Sequence, residues 1–245
     1  MVWSPKSATN AYLDTLKLCK HDHDGRNEPS RPAGPETNEF ISALAAGMSA
    51  QLIVEVSSEA SQSTIALAAA ARQTGGRLVC ILPEEESLAA SREVINESGL
   101  DDMVEFKVGN ATELLPEYEN IDFSLVDCKT NSYKDLLKLL DVNPEKSVVV
   151  ANNLTEGREG LCGDVGKVRD GAAVRSVKHP IGEGIEVTMI GKSDEFGITD
   201  WKRSGGGGAN KGKEKRMVGR GKSKWVRKFD EESGEEHIFR LPKSI

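Results

Sequence analysis

The stretch that most constrains this chain is residues 51–71, where a short apolar run, a turn of small residues and an alanine-rich segment follow one another. Leu52–Val56 is apolar and β-branched apart from Glu55, which predicts a buried strand. Thr64–Ala71 has the best helix-forming composition in the chain. A strand joined to a helix in this way is the nucleotide-binding corner of open α/β sheets, because unpaired backbone N–H groups at the helix start face the ligand.

The rest of the chain repeats this order of strand and helix, which implies parallel strands, right-handed crossovers and a doubly wound α/β sheet. The last two strands are separated only by the turn-forming residues 179–184, which predicts a hairpin and one antiparallel strand. The predicted strands are 52–56, 77–82, 103–108, 121–127, 147–151, 173–178 and 185–190. The predicted helices are one that begins at Pro5 behind Ser4 as its N-cap, and 38–48, 63–73, 84–97, 111–115 and 133–140.

The size of the chain fits one core with tails. Its 245 residues, 38% of them hydrophobic, predict a helix and loop over 1–37, the α/β domain over 38–193 and a tail over 194–245. No apolar run reaches the roughly 18 residues of a membrane span, and the N-terminus lacks the layout of a signal peptide. We therefore expect a cytoplasmic or nuclear protein that does not contact a membrane.

Two groups of potential metal ligands have simpler explanations. The cysteines, Cys19, Cys80, Cys128 and Cys162, lack CxxC spacing, so buried free thiols are predicted in preference to disulfides or metal ligands. The run from His21 to Asp24 lies within a single polar loop with no ligand from elsewhere, and a solvated loop is favoured over a metal site.

The charge of the chain is divided unequally. The formal net charge is −7, yet residues 201–228 contain eleven Lys and Arg against one acid, Glu214, together with seven glycines. Such a segment cannot bury enough surface to offset the cost of ordering, so a flexible tail is predicted. A plain solvated tail, contact with nucleic acid or another polyanion, and a localisation signal all remain open. A short hairpin is predicted around residues 232–235.

The order of elements resembles the Rossmann-like fold of S-adenosylmethionine-dependent methyltransferases, with a seven-stranded, mostly parallel sheet and a terminal antiparallel hairpin strand. Seven local patterns occur in order: Glu39-Phe40-Ile41, Glu55, Gly109-Asn110-Ala111, Val126-Asp127, Tyr133, Asn152-Asn153 and Ile181-Gly182-Glu183-Gly184-Ile185. Together they resemble the catechol and caffeoyl-coenzyme-A O-methyltransferases within that class. Over its whole length the sequence also resembles a land-plant family of uncharacterised methyltransferase-like proteins.

The resemblance implies S-adenosylmethionine as cofactor. Glu55 is expected beneath it, although a purely structural carboxylate is equally open, and Asn110 and Ala111 are expected at the adenine. Glu84 is a candidate for the ribose, since Leu82 stands where the family has its ribose-binding acid, but a helix start alone also favours acids there. The remaining cofactor candidates are Ser57, Ser58, Ser61, Ser63 and Asp127; Ser57 and Ser61 replace loop glycines, and the serine hydroxyls are expected to bind a carboxylate.

The catalytic side departs further from the family. Metal-dependent members hold magnesium with two aspartates and an asparagine, whereas the matching positions here are Asp127, Asn152 and Asn153, so no metal is predicted. The general-base lysine falls in register at Thr130, one residue after Lys129. Asp127 and Lys129 are therefore the catalytic candidates.

Two hypotheses remain open from the sequence. One is a metal-independent methyltransferase that acts on an unidentified small molecule or, through its basic tail, on a larger anionic partner. The other is a catalytically degenerate methyltransferase fold that serves as a binding or regulatory module.

Overall fold

A computed structural model of the chain describes residues 3–19, 37–129, 133–154, 160 and 172–192, and the two strands at 225–229 and 236–240. The chain divides into two compact units, Met1–Lys202 and Arg203–Ile245. The first unit contains a seven-stranded mixed sheet with helices on both faces. The doubly wound α/β fold predicted from the alternation of strands and helices is therefore confirmed.

The sheet consists of β1 Leu52–Val56, β2 Arg77–Leu82, β3 Val104–Val108, β4 Phe123–Asp127, β5 Lys146–Asn152, β6 Ala172–His179 and β7 Ile185–Lys192. Its strand order is β3-β2-β1-β4-β5-β7-β6. Strands β1 to β5 run parallel to one another, and β7 pairs antiparallel with both β5 and β6. The terminal hairpin predicted across residues 179–184 is thus present.

Capping residues lie at the start of the first helix and at the end of the third. Ser4 accepts a hydrogen bond from the backbone N–H of Ser7 at the start of the first helix, and the third ends at Gly75, whose φ of 69° only glycine adopts at little cost. The helices are α1 Pro5–Leu18, α2 Thr37–Gly47, α3 Gln62–Thr74, α4 Glu86–Ser98, α5 Ala111–Leu114 and α6 Tyr133–Leu139.

The core lies in two layers, one on each face of the sheet. Alternation along β1 sends Ile53 into the layer beneath α1, α2 and α3, and Val54 into the layer beneath α6. The alanines of α3 are fully buried, so this helix packs closely on the strands. Burial on both faces explains why the parallel strands read as continuous apolar runs.

The N-terminal helix is fixed to the same unit. The backbone N–H of Ser4 donates to the carbonyl of Gly47 at 2.7 Å, and the Thr15 hydroxyl donates to Ser42 at 2.9 Å in a buried contact. The indole of Trp3 lies against Gly47, where an added Cβ would come within 2.1 Å of the ring. Helix α1 therefore packs on α2 through contacts that need both a glycine and a buried hydroxyl pair.

Strand β4 begins later than predicted, at Phe123 instead of Ile121. The preceding Asp122 is buried, and its carboxylate accepts the backbone N–H groups of Gln51 and Leu52. Ile121 forms only an isolated bridge with Val142. The backbone of Asp122 still bonds to Leu52 and Val148, so its side chain adds to the pairing at this end of the strand.

The second unit contains a hairpin of β8 Trp225–Phe229 and β9 Glu236–Arg240, as predicted around residues 232–235. Strand β8 includes residues 225–228, which the sequence assigned to the flexible segment, so that assignment is wrong for these four residues. An apolar and aromatic run allows a strand to form despite the neighbouring charge. The rest of the segment, residues 201–224, lies outside the described part of the chain.

The described cysteines, Cys19, Cys80 and Cys128, are buried thiols, as predicted. Cys162 and the run from His21 to Asp24 lie outside the described residues. Within the described ranges, no group of three or more His, Cys, Asp or Glu side chains is arranged to hold a metal ion. Among the same residues, no helix has the length and apolar character to cross a membrane.

Candidate cofactor site

Two cavities lie beside one another at the carboxyl edge of β1, β2, β4 and β5, where open α/β sheets bind their ligands. The larger, of about 180 Å³, is mainly apolar, and the smaller, of about 100 Å³, is mainly polar. We call them the apolar cavity and the polar cavity. Ser57, Ser58 and Asp127 line both, so the two form one cleft with chemically different ends.

The apolar cavity is built from the ends of several elements. Val56 ends β1, Ile81 lies near the end of β2, and Leu136 comes from α6. Its other lining residues include Pro83, Gly109, Asn110, Ala111 and Thr112. Apolar side chains from three separate elements provide a surface for a flat, weakly polar ring.

The start of α5 forms one side of the apolar cavity. Asn110 caps this helix: its Oδ1 accepts the backbone N–H of Thr112 at 3.1 Å and the Thr112 hydroxyl at 2.8 Å. Gly109 has a φ of 145°, and its N–H donates to the carbonyl of Leu82 at 2.9 Å. The glycine thus lets the chain turn away from β3 while it stays bonded to β2.

The turn after β1 is held on both sides. The backbone N–H of Ser57 donates to Ile81 at 3.3 Å, and its hydroxyl donates to the carbonyl of Glu59 at 3.0 Å. The N–H of Ala60 donates to the buried hydroxyl of Ser91 in α4 at 2.9 Å. The turn is therefore anchored to β2 and α4 without the two loop glycines of the methyltransferases that the sequence resembles.

Glu55 lies fully buried behind this turn. The Ser63 hydroxyl donates to its Oε1 at 2.6 Å, and its Oε2 has no hydrogen-bond partner among the described residues. Burial raises the pKa of Glu55 above its ordinary value of 4.5, and the polar side chains of Ser63, Thr64 and Cys80 lower that pKa only in part. Burial likewise raises the pKa of the Cys80 thiol well above 9.0. Glu55 is not among the residues that line the cleft, so it acts on the turn through Ser63.

Asp127 lies at the junction of the two cavities. Its Oδ1 accepts the backbone N–H of Lys129 at 3.0 Å and the Nδ2 of Asn153 at 2.9 Å. Asn153 holds this position with a φ of 56°, a left-handed conformation that is uncommon outside glycine but tolerated by asparagine. Both donors fall on Oδ1, which leaves Oδ2 of Asp127 for the cleft.

Most of the residues predicted for the site come together in the structure. Glu55 supports the turn from behind, and Glu84 is exposed and lines neither cavity, so its proposed contact with a ribose stays a prediction. The position of the family's general base, Thr130, lies outside the described residues. The predicted residues that line the cleft are Ser57, Ser58, Ser61, Ser63, Asn110, Ala111, Asp127 and Lys129.

Sequence reasoning missed Glu59, Pro83 and Leu136, which also line the cleft. Pro83 directly follows β2 and Glu59 lies in the turn that follows β1, so the rule that ligands bind at the carboxyl edge was a signal for both. Leu136 lies within α6 and reads as an ordinary core position. Its place in the cleft depends on how α6 packs over the sheet.

The sheet order, the terminal antiparallel strand and the position of the cleft define a Rossmann-like methyltransferase fold. The chain belongs to the family described as "Protein of unknown function (DUF1442)", whose model matches residues 1–241. No curated protein matches the sequence.

Solved structures with the same fold include three chains, each with a TM-score of 0.50. The cofactor-bound protein Rv0187 from MTB is 19% identical, over 78% of this chain and 92% of that chain. A putative O-methyltransferase from Klebsiella pneumoniae is 15% identical, over 78% and 92%. A putative caffeoyl-CoA O-methyltransferase from Staphylococcus aureus is 14% identical, over 72% and 99%. At these identities the likeness shows a shared fold.

Proposed function

We propose that the cleft binds S-adenosylmethionine and that the protein is a metal-independent methyltransferase for a small molecule. The observation that carries this proposal is the division of the cleft into an apolar and a polar end that meet at Asp127. S-adenosylmethionine has the same division, with a flat base at one end and a charged amino acid at the other. The base would lie near Ala111 and Leu136, and the amino acid near Ser61 and Lys129.

The residues at the metal position of the related O-methyltransferases do not fit magnesium. A hard divalent cation needs several oxygen ligands with enough negative charge. Here Asp127 is the one carboxylate among Asp127, Asn152 and Asn153, and the amide N–H of Asn153 already occupies its Oδ1. A cation at Oδ1 would have to displace that donor and the N–H of Lys129. These contacts support a reaction without a metal.

Asp127 and Lys129 supply the chemistry that remains. When bound, S-adenosylmethionine supplies an electrophilic methyl group, and the acceptor must lose a proton as it gains that methyl group. Oδ2 of Asp127 is placed to accept a hydrogen bond from the acceptor and to take up this proton. The exposed ammonium group of Lys129 adds a positive charge at the polar cavity.

The experiment that tests the proposal is calorimetric titration of S-adenosylmethionine and S-adenosylhomocysteine, with and without magnesium. Ala111→Trp places a large ring in the apolar cavity and should abolish binding. Ala90→Trp introduces the same ring at an exposed position and should leave binding unchanged. Binding that is insensitive to magnesium and lost only in Ala111→Trp supports the proposal, whereas no binding by the unaltered protein refutes it.

A catalytically degenerate binding module is the second candidate. The hydrogen bonds within residues 57–63, which we call the serine turn, favour this candidate, because they occupy groups that a cofactor would otherwise use. A protein that binds S-adenosylhomocysteine but transfers no labelled methyl group to any member of a broad acceptor panel would support this candidate.

We also propose that the basic residues of 201–228 contact a polyanion, on the support of their charge. The land-plant origin and the cytoplasmic or nuclear location stay predictions.

A further inference from the structure

The hydroxyl groups of the polar cavity are bonded within the protein. The Ser57 hydroxyl donates to the carbonyl of Glu59, and the hydroxyls of Ser61 and Ser63 lie 3.0 Å apart. Ser63 in turn donates to the buried carboxyl of Glu55 at 2.6 Å. Ser57, Ser61 and Ser63 would each have to break an existing hydrogen bond before donating to a ligand carboxylate.

The polar groups in the first turn of α3 are also bonded within the protein. Ser61 is the N-cap, and its Oγ accepts the backbone N–H of Ser63 at 3.3 Å. The backbone N–H of Ser61 donates to the Thr64 hydroxyl at 3.1 Å, which completes a capping box. A helix start of this kind normally offers its N–H groups to an anion. Here the side chains of Ser61 and Thr64 already fill that role.

The apolar cavity depends less on polar groups: the side chains of Asn110 and Thr112 are bonded to each other, and most of its wall is apolar. Its apolar walls include Val56, Ile81 and Leu136, and they stabilise a ligand by removing apolar surface from water. Such contacts do not require any protein hydrogen bond to break. The two ends of the cleft should therefore contribute unequally to affinity.

We infer that the cleft recognises the adenosine portion of its ligand and gains little from the methionine portion. The site should bind purine nucleosides about as tightly as it binds the whole cofactor. This inference rests on the proposed function only in that it places the adenine ring in the apolar cavity.

The test compares S-adenosylhomocysteine with 5′-methylthioadenosine by calorimetry on the full chain. Both contain the adenosine and the thioether sulfur, and 5′-methylthioadenosine lacks the amino acid. Each charge-assisted hydrogen bond to the amino acid should favour S-adenosylhomocysteine by about tenfold or more. We expect the two dissociation constants to agree within about threefold, because few such bonds are available.

Ser61→Gly extends the test. Glycine is accepted at an N-cap at little cost to the helix, but it lacks the hydroxyl that now closes the turn. The variant releases the N–H of Ser63, whereas the hydroxyl of Ser63 still donates to Glu55, so S-adenosylhomocysteine should bind about tenfold tighter. The affinity for 5′-methylthioadenosine should not change. Ser4→Gly, which removes the N-cap hydroxyl of α1 and lines neither cavity, is the matched control and should bind both ligands like the unaltered protein.

The outcomes separate this inference from the proposed function. Binding of S-adenosylhomocysteine about thirtyfold or more tighter than 5′-methylthioadenosine refutes the inference and leaves the proposed function standing. Equal affinities with no methyl transfer support the inference and count against catalysis. Failure of both ligands to bind refutes both.

Discussion

Asp122 should be one of the most important polar residues for the stability of the fold, and Asp122→Ala tests this directly. Its carboxylate is 6% exposed and accepts hydrogen bonds from Gln51 N–H at 2.8 Å, Leu52 N–H at 3.2 Å and Asn143 Nδ2 at 2.9 Å. Together these bonds connect the starts of β1 and β4 to the loop before β5. Each donor left buried without a partner costs about 1–3 kcal/mol, and the chain around Gln51 is partly open to water. We therefore expect a loss of about 3–4 kcal/mol in the free energy of unfolding.

The assay is equilibrium unfolding in urea, followed by circular dichroism. Asp122→Asn keeps one carbonyl oxygen for the backbone donors and should lose only about 1 kcal/mol. Asp101→Ala removes an exposed carboxylate and should stay within about 0.5 kcal/mol of the unaltered protein. A loss of less than about 1 kcal/mol for Asp122→Ala would show that water replaces the carboxylate, and the reasoning would be refuted.

Three further predictions concern the site and the tail. Because burial raises the pKa of Glu55, the folded state holds its proton more tightly, and the free energy of unfolding should fall as pH rises from about 4.5 through the folded pKa. Glu55→Gln should lack this fall when unfolding in urea is measured across pH, and parallel pH dependences of the two proteins would contradict the prediction. Asn152→Asp adds a second carboxylate beside Asp127 on the neighbouring strand and should create magnesium binding, detectable by calorimetry, that Asn152→Gln does not create. Removal of residues 205–224 should lower the salt needed to elute the protein from heparin; unchanged elution would exclude the segment as the polyanion contact.

The sheet could be predicted from the sequence because its strands are short apolar runs separated by clear helical segments. All seven predicted strands of the sheet are present. The start of β4 was predicted two residues early because Ile121 extends the apolar run, although its backbone bonds only to the distant residues Asp141 and Asn143. Local composition does not predict such contacts.

The candidate site was predictable to the extent that it lies at strand ends. Ser57, Asn110 and Asp127 follow or end strands, and topology alone brings them to one edge. The direction of Glu84 was not predictable, because it depends on how the chain leaves β2 through Pro83. The bond between Ser63 and Glu55 was equally hidden, since it requires the depth at which the carboxyl is buried.

The serine turn gives one physical account of stability and binding. A glycine turn leaves backbone N–H groups free for a ligand, and it is less ordered until the ligand arrives. Here Ser61 and Ser63 make hydrogen bonds that a ligand would otherwise make, so the turn is ordered by the protein itself. The same hydrogen bonds that stabilise the unliganded turn must be broken for a methionine carboxylate to bind. A binding site that is preorganised in this way should keep its apolar specificity while it loses affinity at its charged end, and the comparison of S-adenosylhomocysteine with 5′-methylthioadenosine measures that difference.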